Sequence, residues 1–401
     1  MRVALLTREF PPEVYGGAGV HVEYLAEELD RLVDLEVHAF GKERPSSLVK
    51  ATYEPWSALI DAYKRHAAAL GTMSVDLAMA LAVEGADVVH THTWYANLAG
   101  HLAAMTYDVP HVMTSHSLEP LRPWKAEQLG GGYALSSWCE RTSIEAADAV
   151  IAVSGAMRDD IIRCYPNVDA ARVQVVHNGI DVTQYQKDDA TDVLERLGVE
   201  PGEPYAFFVG RMTRQKGIVH LLDAVAHMDG DHTVVVLASS PDTKEIGDEL
   251  RQRAAEVQGK GARLLLVEET PPRRDVIQLF SHATVFVCPS IYEPFGLVNI
   301  EAMACETAVV ATAVGGIPEI VVPGETGLLV EVGEADEHGT PLDRDGFARR
   351  FAAAVDEVLG DPERAAALGT AGRDRVHSQF TWPAIAERTV ELYRSVVDGR
   401  S

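Results

Sequence analysis

Two glutamates on either side of a glycine-containing turn are the most informative residues of this chain. Glu293 precedes the turn Phe295-Gly296-Leu297, and Glu301 follows it. Residues 283–288 are apolar and β-branched, which predicts a buried strand, and residues 302–305 continue as a predicted helix. Amides at the start of a helix attract anions such as phosphate. Because carboxylates repel phosphate but accept hydrogen bonds from hydroxyls, the pattern indicates a nucleotide-sugar ligand. The alternative is that the glutamates only complement the helix dipole.

A glycine-rich loop follows the first predicted strand. Gly16, Gly17 and Gly19 immediately precede or begin a predicted helix at the carboxyl end of that strand. Glycine permits positive φ and lets backbone amides approach a ligand closely. The loop is therefore predicted to face a ligand, although simple loop flexibility would also explain the glycines.

Two basic residues, Arg211 and Lys216, follow the first strand of the second half and lead into a helix. A planar guanidinium and a flexible ammonium at a strand end suit a diphosphate, because together they neutralise charge on a leaving nucleotide. The alternative is a solvated basic turn. Arg214, between them, is predicted to face solvent or an acceptor.

The histidines near two strand ends raise the question of a metal. His90 and His92 alternate before Trp94, but no third ligand lies at suitable spacing, so structural roles are expected for both. His116 ends a predicted strand and is expected to face the ligand.

The elements that must position these residues are short apolar strands that alternate with longer helical patterns. One such series occupies the first half of the chain, and a second series occupies the other half. The predicted strands of the first half are 3–7, 35–40, 88–92, 111–115 and 149–153, and its helices are 18–31, 74–84, 96–105 and 134–147. The second half has predicted strands 205–209, 233–238, 263–267, 285–288, 308–311 and 327–330, and helices 217–226, 244–258 and 274–280.

This alternation predicts an α/β protein with two Rossmann-like domains facing a cleft. The predicted domains are residues 1–178 and 179–378, and residues 379–401 form a final amphipathic helix.

Composition limits the partners. The chain has 35 basic and 60 acidic residues and a net charge of −25, which argues against nucleic acid and against anionic lipid. No apolar run is long enough for a membrane span or a signal peptide, and the four cysteines are scattered. We therefore expect a cytoplasmic protein with reduced thiols and no membrane partner.

The spacing of Glu293 and Glu301, together with the pattern Gly-Arg-x4-Lys-Gly that contains Arg211 and Lys216, resembles the retaining glycosyltransferases of the glycogen-synthase-like family 4. The resemblance covers essentially the whole chain. It implies a GT-B fold in which the C-terminal helix crosses back to the first domain. It also implies an enzyme without a metal or other cofactor. The oligomeric state stays open, with a homodimer as one option.

The resemblance also assigns roles to residues. His116, Arg211, Lys216 and Glu293 would be catalytic, with His116 and Glu293 at the donor sugar. Gly16, Gly17, Gly19, Arg211, Lys216, Phe295, Gly296, Leu297 and Glu301 would bind the donor, with Glu301 on the ribose. Two departures limit the transfer, since Val14-Tyr15 replaces a donor-contacting Lys-Thr pair and Thr93 replaces an aspartate.

The segment from Ser117 to Tyr133 is typical of short actinobacterial-type family members. In that group the resemblance implies transfer of glucose from ADP-glucose to glucose-1-phosphate, giving α-maltose 1-phosphate. Arg122 and Lys125 would meet the anionic acceptor, with Trp124 or Tyr133 against its ring. The alternative is a lid whose basic residues are solvated.

Other functions remain open on the sequence. A glycogen synthase would elongate an α-glucan directly, and a nucleotide-sugar 2-epimerase shares the architecture without transferring a sugar. A lipid mannosyltransferase would need a basic amphipathic face, for which residues 58–70 are the one faint candidate. A non-catalytic sensor is disfavoured because both glutamates and both basic residues are present. ADP, UDP and GDP donors are not distinguished, because the base is expected against main chain near residues 267–270.

Overall fold

The computed structural model describes residues 1–14, 16–62, 67–122, 132–230, 232–269 and 271–400. The chain divides into two compact units. Unit 1 comprises Met1–Gly179 together with Trp382–Ser401, and unit 2 comprises Ile180–Thr381.

Unit 1 is built on a seven-stranded parallel sheet within the described residues, in the order β3-β2-β1-β4-β5-β6-β7. Strands β1, β4, β5 and β6 are buried along nearly their whole length, as expected when helices cover both faces of a parallel sheet. The strands are β1 (Arg2–Thr7), β2 (Asp34–Phe40), β3 (Val49–Tyr53), β4 (Val88–His92), β5 (His111–Ser115), β6 (Ala149–Ala152) and β7 (Val173–Val175).

The helices of unit 1 connect these strands and bury apolar faces on the sheet. Those of the described residues are Gly17–Asp30, Ser57–Ala62, Ala67–Ala82, Trp94–Tyr107, Gly132–Ala146, Gly155–Cys164 and Trp382–Arg400. Short 3-10 turns lie at Glu119–Leu121 and Ala170–Arg172.

Unit 2 repeats the architecture with a six-stranded parallel sheet in the order β10-β9-β8-β11-β12-β13 among the described residues. The strands are β8 (Tyr205–Arg211), β9 (Thr233–Ser239), β10 (Leu264–Val267), β11 (Val285–Cys288), β12 (Ala308–Thr312) and β13 (Gly327–Val330). The helices are Asp192–Leu197, Ile218–Val225, Lys244–Gly259, Arg273–His282, Leu297–Ala304, Ile317–Ile320, Arg344–Leu359 and Pro362–Gln379, with a 3-10 turn at Arg214–Lys216.

The C-terminal helix Trp382–Arg400 completes the core of unit 1. Its apolar residues Trp382, Ile385, Val390 and Tyr393 are buried in one cluster with residues of β1, β2 and the helix Gly17–Asp30. The predicted return of this helix to the first half of the chain is therefore confirmed.

The predicted fold class is confirmed, and the differences lie in individual elements. The helix predicted at 74–84 begins earlier, at Ala67, and the edge strands β3 and β7 were not predicted. No helix in the described part of the chain combines the length and apolar character needed to cross a lipid bilayer. Part of the segment 58–70 considered for membrane binding lies outside the described residues.

Candidate active site

The turn after β11 is formed by the residues that the sequence singled out. Gly296 has φ of +111° and stands at the N-terminus of the helix Leu297–Ala304. This left-handed conformation favours glycine because glycine lacks a Cβ atom. Phe295 is buried with 2% exposure and contacts Phe380 edge to face. The aromatic contact of Phe295 thus anchors the segment Phe295-Gly296-Leu297. The backbone N–H groups at the N-terminus of the helix Leu297–Ala304 lie at this same segment.

A second glycine pair, Gly315-Gly316, supports this turn and was not predicted from the sequence. The Gly316 N–H donates to the Glu293 carbonyl oxygen at 2.9 Å. Gly315 has φ of +54°, and a Cβ atom there would lie 1.9 Å from the same carbonyl oxygen. The signal was available, because the pair follows the buried strand β12 as Gly16-Gly17 follow β1.

Lys216 and Glu293 form an ion pair in unit 2. The Lys216 Nζ atom donates to Glu293 Oε2 at 2.6 Å, and the two side chains are 22% and 9% exposed. The Ser290 hydroxyl donates to the same carboxylate oxygen at 3.3 Å. Burial lowers the pKa of Lys216, but the Glu293 carboxylate outweighs burial, so the pKa is raised overall. The ammonium is therefore charged and held in place next to the turn.

Arg211 is the last residue of β8 and forms an ion pair with Asp242. The sequence did not indicate Asp242 as its partner. Arg214 is exposed, and its orientation toward solvent or an acceptor remains a prediction.

Glu301 lies on the helix Leu297–Ala304 and accepts a hydrogen bond from the Tyr185 hydroxyl at 3.1 Å. Burial raises the pKa of Glu301, whereas Tyr185, Arg273 and Lys216 act in the opposite direction. Tyr185 has no sequence signature, because its position next to Glu301 depends on a contact between residues 116 positions apart.

Three histidines lie together in unit 1, in a group that we call the histidine cluster: His21, His92 and His116. One ring nitrogen of each lies within 4.8 Å of those of the other two. His92 ends β4 and His116 follows the neighbouring strand β5, and His92 Nδ1 is 3.1 Å from His116 Nε2. The ring of His21, on the helix Gly17–Asp30, lies 4.7 Å from that of His116. The sequence showed no third ligand near His90 and His92 in the chain; in the structure His21 and His116, from distant segments, lie beside His92.

His90 differs from the histidine cluster because both its ring nitrogens have partners. Nδ1 lies 2.6 Å from the Tyr393 hydroxyl, and Nε2 lies 2.8 Å from Thr114 Oγ1. The structural role predicted for His90 agrees with these contacts, which connect β4 to the C-terminal helix and to β5.

The glycine loop is organised around Glu9. The Gly16 N–H donates to Glu9 Oε2 at 2.9 Å, and a Cβ atom on Gly19 would lie 2.6 Å from the same oxygen. Gly17 is the first residue of the helix Gly17–Asp30. These glycines let the helix begin close to a carboxylate, and their contact with a ligand remains a prediction.

The predicted acceptor segment is only partly described. Lys125 and Trp124 lie outside the described residues. Arg122 donates to the Ser117 hydroxyl, and the Tyr133 hydroxyl donates to the Glu119 carbonyl oxygen at 2.8 Å. Arg122 and Tyr133, the two described residues predicted to meet the acceptor, therefore both contact residues 117–119, at the start of the segment.

Two buried glutamates hold the ends of this segment, and the sequence did not reveal them. Glu140 accepts from the Glu119 N–H at 2.8 Å and from the Tyr165 hydroxyl. The Ser136 hydroxyl donates to Glu119 Oε2 at 2.7 Å. Burial, reinforced by the nearby Glu119 carboxylate, raises the pKa of Glu140 to about 8.

Family models match both halves of the chain. Residues 15–184 match the model described as Glycosyltransferase Family 4, and residues 189–375 match Glycosyl transferases group 1. With two Rossmann-like units and these matches, the chain belongs to glycosyltransferase family 4, and it is a glycosyltransferase enzyme.

Individual relatives and structures are similar over the full length. Alpha-maltose-1-phosphate synthase of Mycolicibacterium smegmatis is 51% identical over 399 residues, covering 99% of this chain and 100% of the relative. A glycogen synthase of Mycobacterium tuberculosis is 30% identical, covering 100% of this chain and 96% of the relative. The structure of sucrose-phosphate synthase from Thermosynechococcus elongatus has a TM-score of 0.75 and 26% identity, and the match covers 99% of each chain.

Proposed function

We propose that this protein transfers glucose from ADP-glucose to glucose-1-phosphate with retention of configuration, forming α-maltose 1-phosphate for α-glucan synthesis. The observation that carries the proposal is the 51% identity, over essentially the whole of both chains, to a protein named Alpha-maltose-1-phosphate synthase.

The groups of unit 2 fit the donor half of this reaction. Arg211 and Lys216 carry positive charge for the leaving diphosphate, and the amides of Phe295, Gly296 and Leu297 add a third set of donors. Glu293 would accept from sugar hydroxyls and Glu301 from the ribose, since a carboxylate accepts hydrogen bonds from both. Gly16, Gly17 and Gly19 of unit 1 are proposed to bring main-chain amides to the donor.

The proposed mechanism is substitution on one face of the sugar. The bond between C1 and the diphosphate oxygen breaks, and a new C1–O bond to the acceptor hydroxyl forms on the same face. The acceptor proton passes to the leaving diphosphate. A double displacement would need a free carboxylate on the opposite face, whereas Glu293 is paired with Lys216. His116 would orient a sugar hydroxyl and stabilise positive charge at C1, and no step requires a metal.

For the acceptor, we propose that Arg122 and Lys125 bind the phosphate of glucose-1-phosphate and that Tyr133 or Trp124 contacts its ring. The contacts of Arg122 and Tyr133 with residues 117–119 support this by holding both ends of one segment. A cytoplasmic location is also proposed, because all four cysteines are free thiols and three are buried.

A direct glycogen synthase is the second candidate, because a glycogen synthase is 30% identical over the whole chain. Product analysis decides between the two. The enzyme is given ADP-glucose with glucose-1-phosphate in one reaction and with glycogen in another. A phosphorylated disaccharide without glycogen elongation is the expected result. Elongation of glycogen with no turnover of glucose-1-phosphate would overturn the proposed acceptor, and UDP-glucose and GDP-glucose in parallel test the donor.

The proposed acceptor residue has a matched control. Arg122→Ala should raise the KM for glucose-1-phosphate about tenfold or more, because a charge-assisted hydrogen bond is lost. Arg141→Ala, an exposed arginine on the helix Gly132–Ala146, should leave that KM unchanged. Equal effects of the two substitutions would remove Arg122 from the acceptor site.

A further inference from the structure

The histidine cluster contains more ligand capacity than its hydrogen bonds use. His21 and His92 are 2% and 0% exposed, and the Nε2 atom of each lacks a hydrogen-bond partner among the described residues. A buried nitrogen without a partner costs about 1–3 kcal/mol, so each such atom requires an explanation. His92 faces His116 through its other nitrogen, Nδ1, so of these two unpartnered atoms only His21 Nε2 can bind a ligand together with His116.

The tautomer of His21 is set by a neighbour outside the cluster. His21 Nδ1 lies 2.7 Å from the Asn178 amide oxygen, an acceptor, so Nδ1 carries the proton. The proton-free nitrogen is then Nε2, whose lone pair is available. Histidines that bind metals usually donate their other ring N–H to an oxygen in this way, which fixes the ring and makes it a better ligand.

The spacing also fits a metal ion. Two nitrogens that bind one tetrahedral ion at about 2.0–2.1 Å are about 3.3 Å apart. His92 Nδ1 and His116 Nε2 are 3.1 Å apart, close to that spacing. Because all three ligand nitrogens lie within 4.8 Å of one another, His21 has to approach by at most about 1.5 Å.

The histidine cluster is reachable from solvent at one of its members. His116 is only partly buried, which gives an ion access from solvent.

We infer that His21, His92 and His116 form a binding site for one divalent transition-metal ion of the kind that imidazole prefers, such as Zn²⁺, Co²⁺ or Ni²⁺. Three protein ligands leave a fourth position for water. The ion is not needed for the proposed transfer. By occupying His116 it would inhibit that transfer, a consequence that depends on the role proposed for His116, whereas metal binding itself does not.

Direct binding tests the site without using activity. The full chain, first treated with a chelator, is titrated with Co²⁺ and with Zn²⁺, and binding is followed by the visible ligand-field absorption of Co²⁺ and by equilibrium dialysis. One ion per chain is expected. His21→Gln and His92→Gln should each weaken binding more than about 100-fold, and Asn178→Ala should weaken it about tenfold by freeing the His21 ring.

The matched control is His377→Ala, which removes an exposed histidine from the helix Pro362–Gln379 and should leave binding unchanged. Circular dichroism and the unfolding temperature of each metal-free variant show whether it is folded, and the milder Asn178→Ala tests the site if a cluster variant unfolds. Binding that survives both cluster substitutions in folded protein, or that follows His377, would overturn the site.

Inhibition is measured separately. Zn²⁺ should inhibit glucose transfer by the native enzyme, and a chelator should restore it. One bound ion without inhibition would uphold the site and overturn its effect on His116.

Discussion

At the scale of single residues, the contact between Lys216 and Glu293 combines two charges that are expensive to bury separately. Their side chains are 22% and 9% exposed and meet at 2.6 Å. Removing one partner of such a pair leaves the other charge without compensation, which is costlier than removing both. Glu293 therefore fixes the ammonium beside the turn at Gly296 before any ligand arrives, and this preorganisation makes electrostatic stabilisation of a leaving group effective.

Lys216→Ala should reduce kcat by about 10²–10³, the usual cost of removing one preorganised charge donor. Steady-state kinetics with ADP-glucose give the result, and circular dichroism verifies the fold. Lys244→Ala is the control, because Lys244 is 86% exposed at the start of the helix Lys244–Gly259. Turnover within about twofold of the native value for Lys216→Ala would exclude the proposed contact with the diphosphate.

The sequence predicted the charged residues of unit 2 better than their partners. Arg211, Lys216, Glu293 and Glu301 were identified because they stand at fixed offsets from strand ends. Asp242 and Tyr185 were not identified, because each is distant along the chain from the residue that it contacts. Asp242 contacts Arg211, and Tyr185 contacts Glu301. The histidine cluster was missed for the same reason, since His92 and His116 are 24 positions apart and His21 comes from a third segment.

At the scale of elements, the glycine pair after β12 determines where the carboxylate turn lies. Gly315→Ala should destabilise unit 2, since its methyl group would meet the Glu293 carbonyl oxygen at 1.9 Å. Gly324→Ala is a matched control, because Gly324 also has positive φ, +77°, but its Cβ position has no atom within 4 Å. Strain at positive φ affects both variants, so the clash should add about 2 kcal/mol to the destabilisation of Gly315→Ala. Urea unfolding of both variants measures the difference, and equal losses would contradict the steric role of Gly315.

The buried Glu140 connects the helix Gly132–Ala146 to Glu119 and to Tyr165, and it should make stability depend on pH. Its pKa rises from 4.5 to about 8 on folding, so the folded state holds the proton more tightly. The contribution is complete below pH 4.5 and is lost as pH rises through about 8. The free energy of unfolding of the native protein should therefore fall over this interval relative to Glu140→Gln, by a few kcal/mol.

Urea unfolding at several pH values measures this difference. Glu391→Gln, at an exposed position of the C-terminal helix, is the control for loss of a carboxylate in the same unit. A constant difference between the native protein and Glu140→Gln across the interval would show that Glu140 titrates normally.

Element prediction succeeded for both edge strands of unit 2 and for the central strands, and failed at the two edge strands of unit 1. Strands β4, β5, β11 and β13 have the predicted bounds, and β4, β5 and β11 are buried at every residue. β3 is an edge strand that is only partly buried, and β7 has three residues, so neither carries a strong pattern. The two long helices Arg344–Leu359 and Pro362–Gln379 were not assigned, although their caps Asp343 and Asp361 were visible in the sequence.

At the scale of the whole molecule, unit 1 is discontinuous and unit 2 is not. Truncation after Thr381 removes four large buried side chains, Trp382, Ile385, Val390 and Tyr393, from the core of unit 1. Their burial is worth roughly 8 kcal/mol in total, comparable with the whole stability of a domain. Unit 1 of the truncated chain should therefore unfold, while unit 2 stays folded.

Mild proteolysis followed by mass spectrometry tests this expectation. The truncated chain should be digested to a resistant fragment close to residues 180–381. The full-length Arg388→Ala variant, which changes an exposed residue of the same helix, should resist digestion throughout. Protection of residues 1–179 in the truncated chain would show that unit 1 folds without the helix.

The same discontinuity affects the order of events during synthesis. The ribosome makes residues 1–179 before the helix Trp382–Arg400, so their core lacks this helix until residues 382–400 have been translated and have left the exit tunnel. Domains usually fold as they emerge, beginning at the N-terminus. Here unit 2 can finish folding before unit 1, and the nascent chain carries an exposed apolar surface while residues 180–381 are being translated. Such an intermediate is a natural substrate for chaperones that bind growing chains.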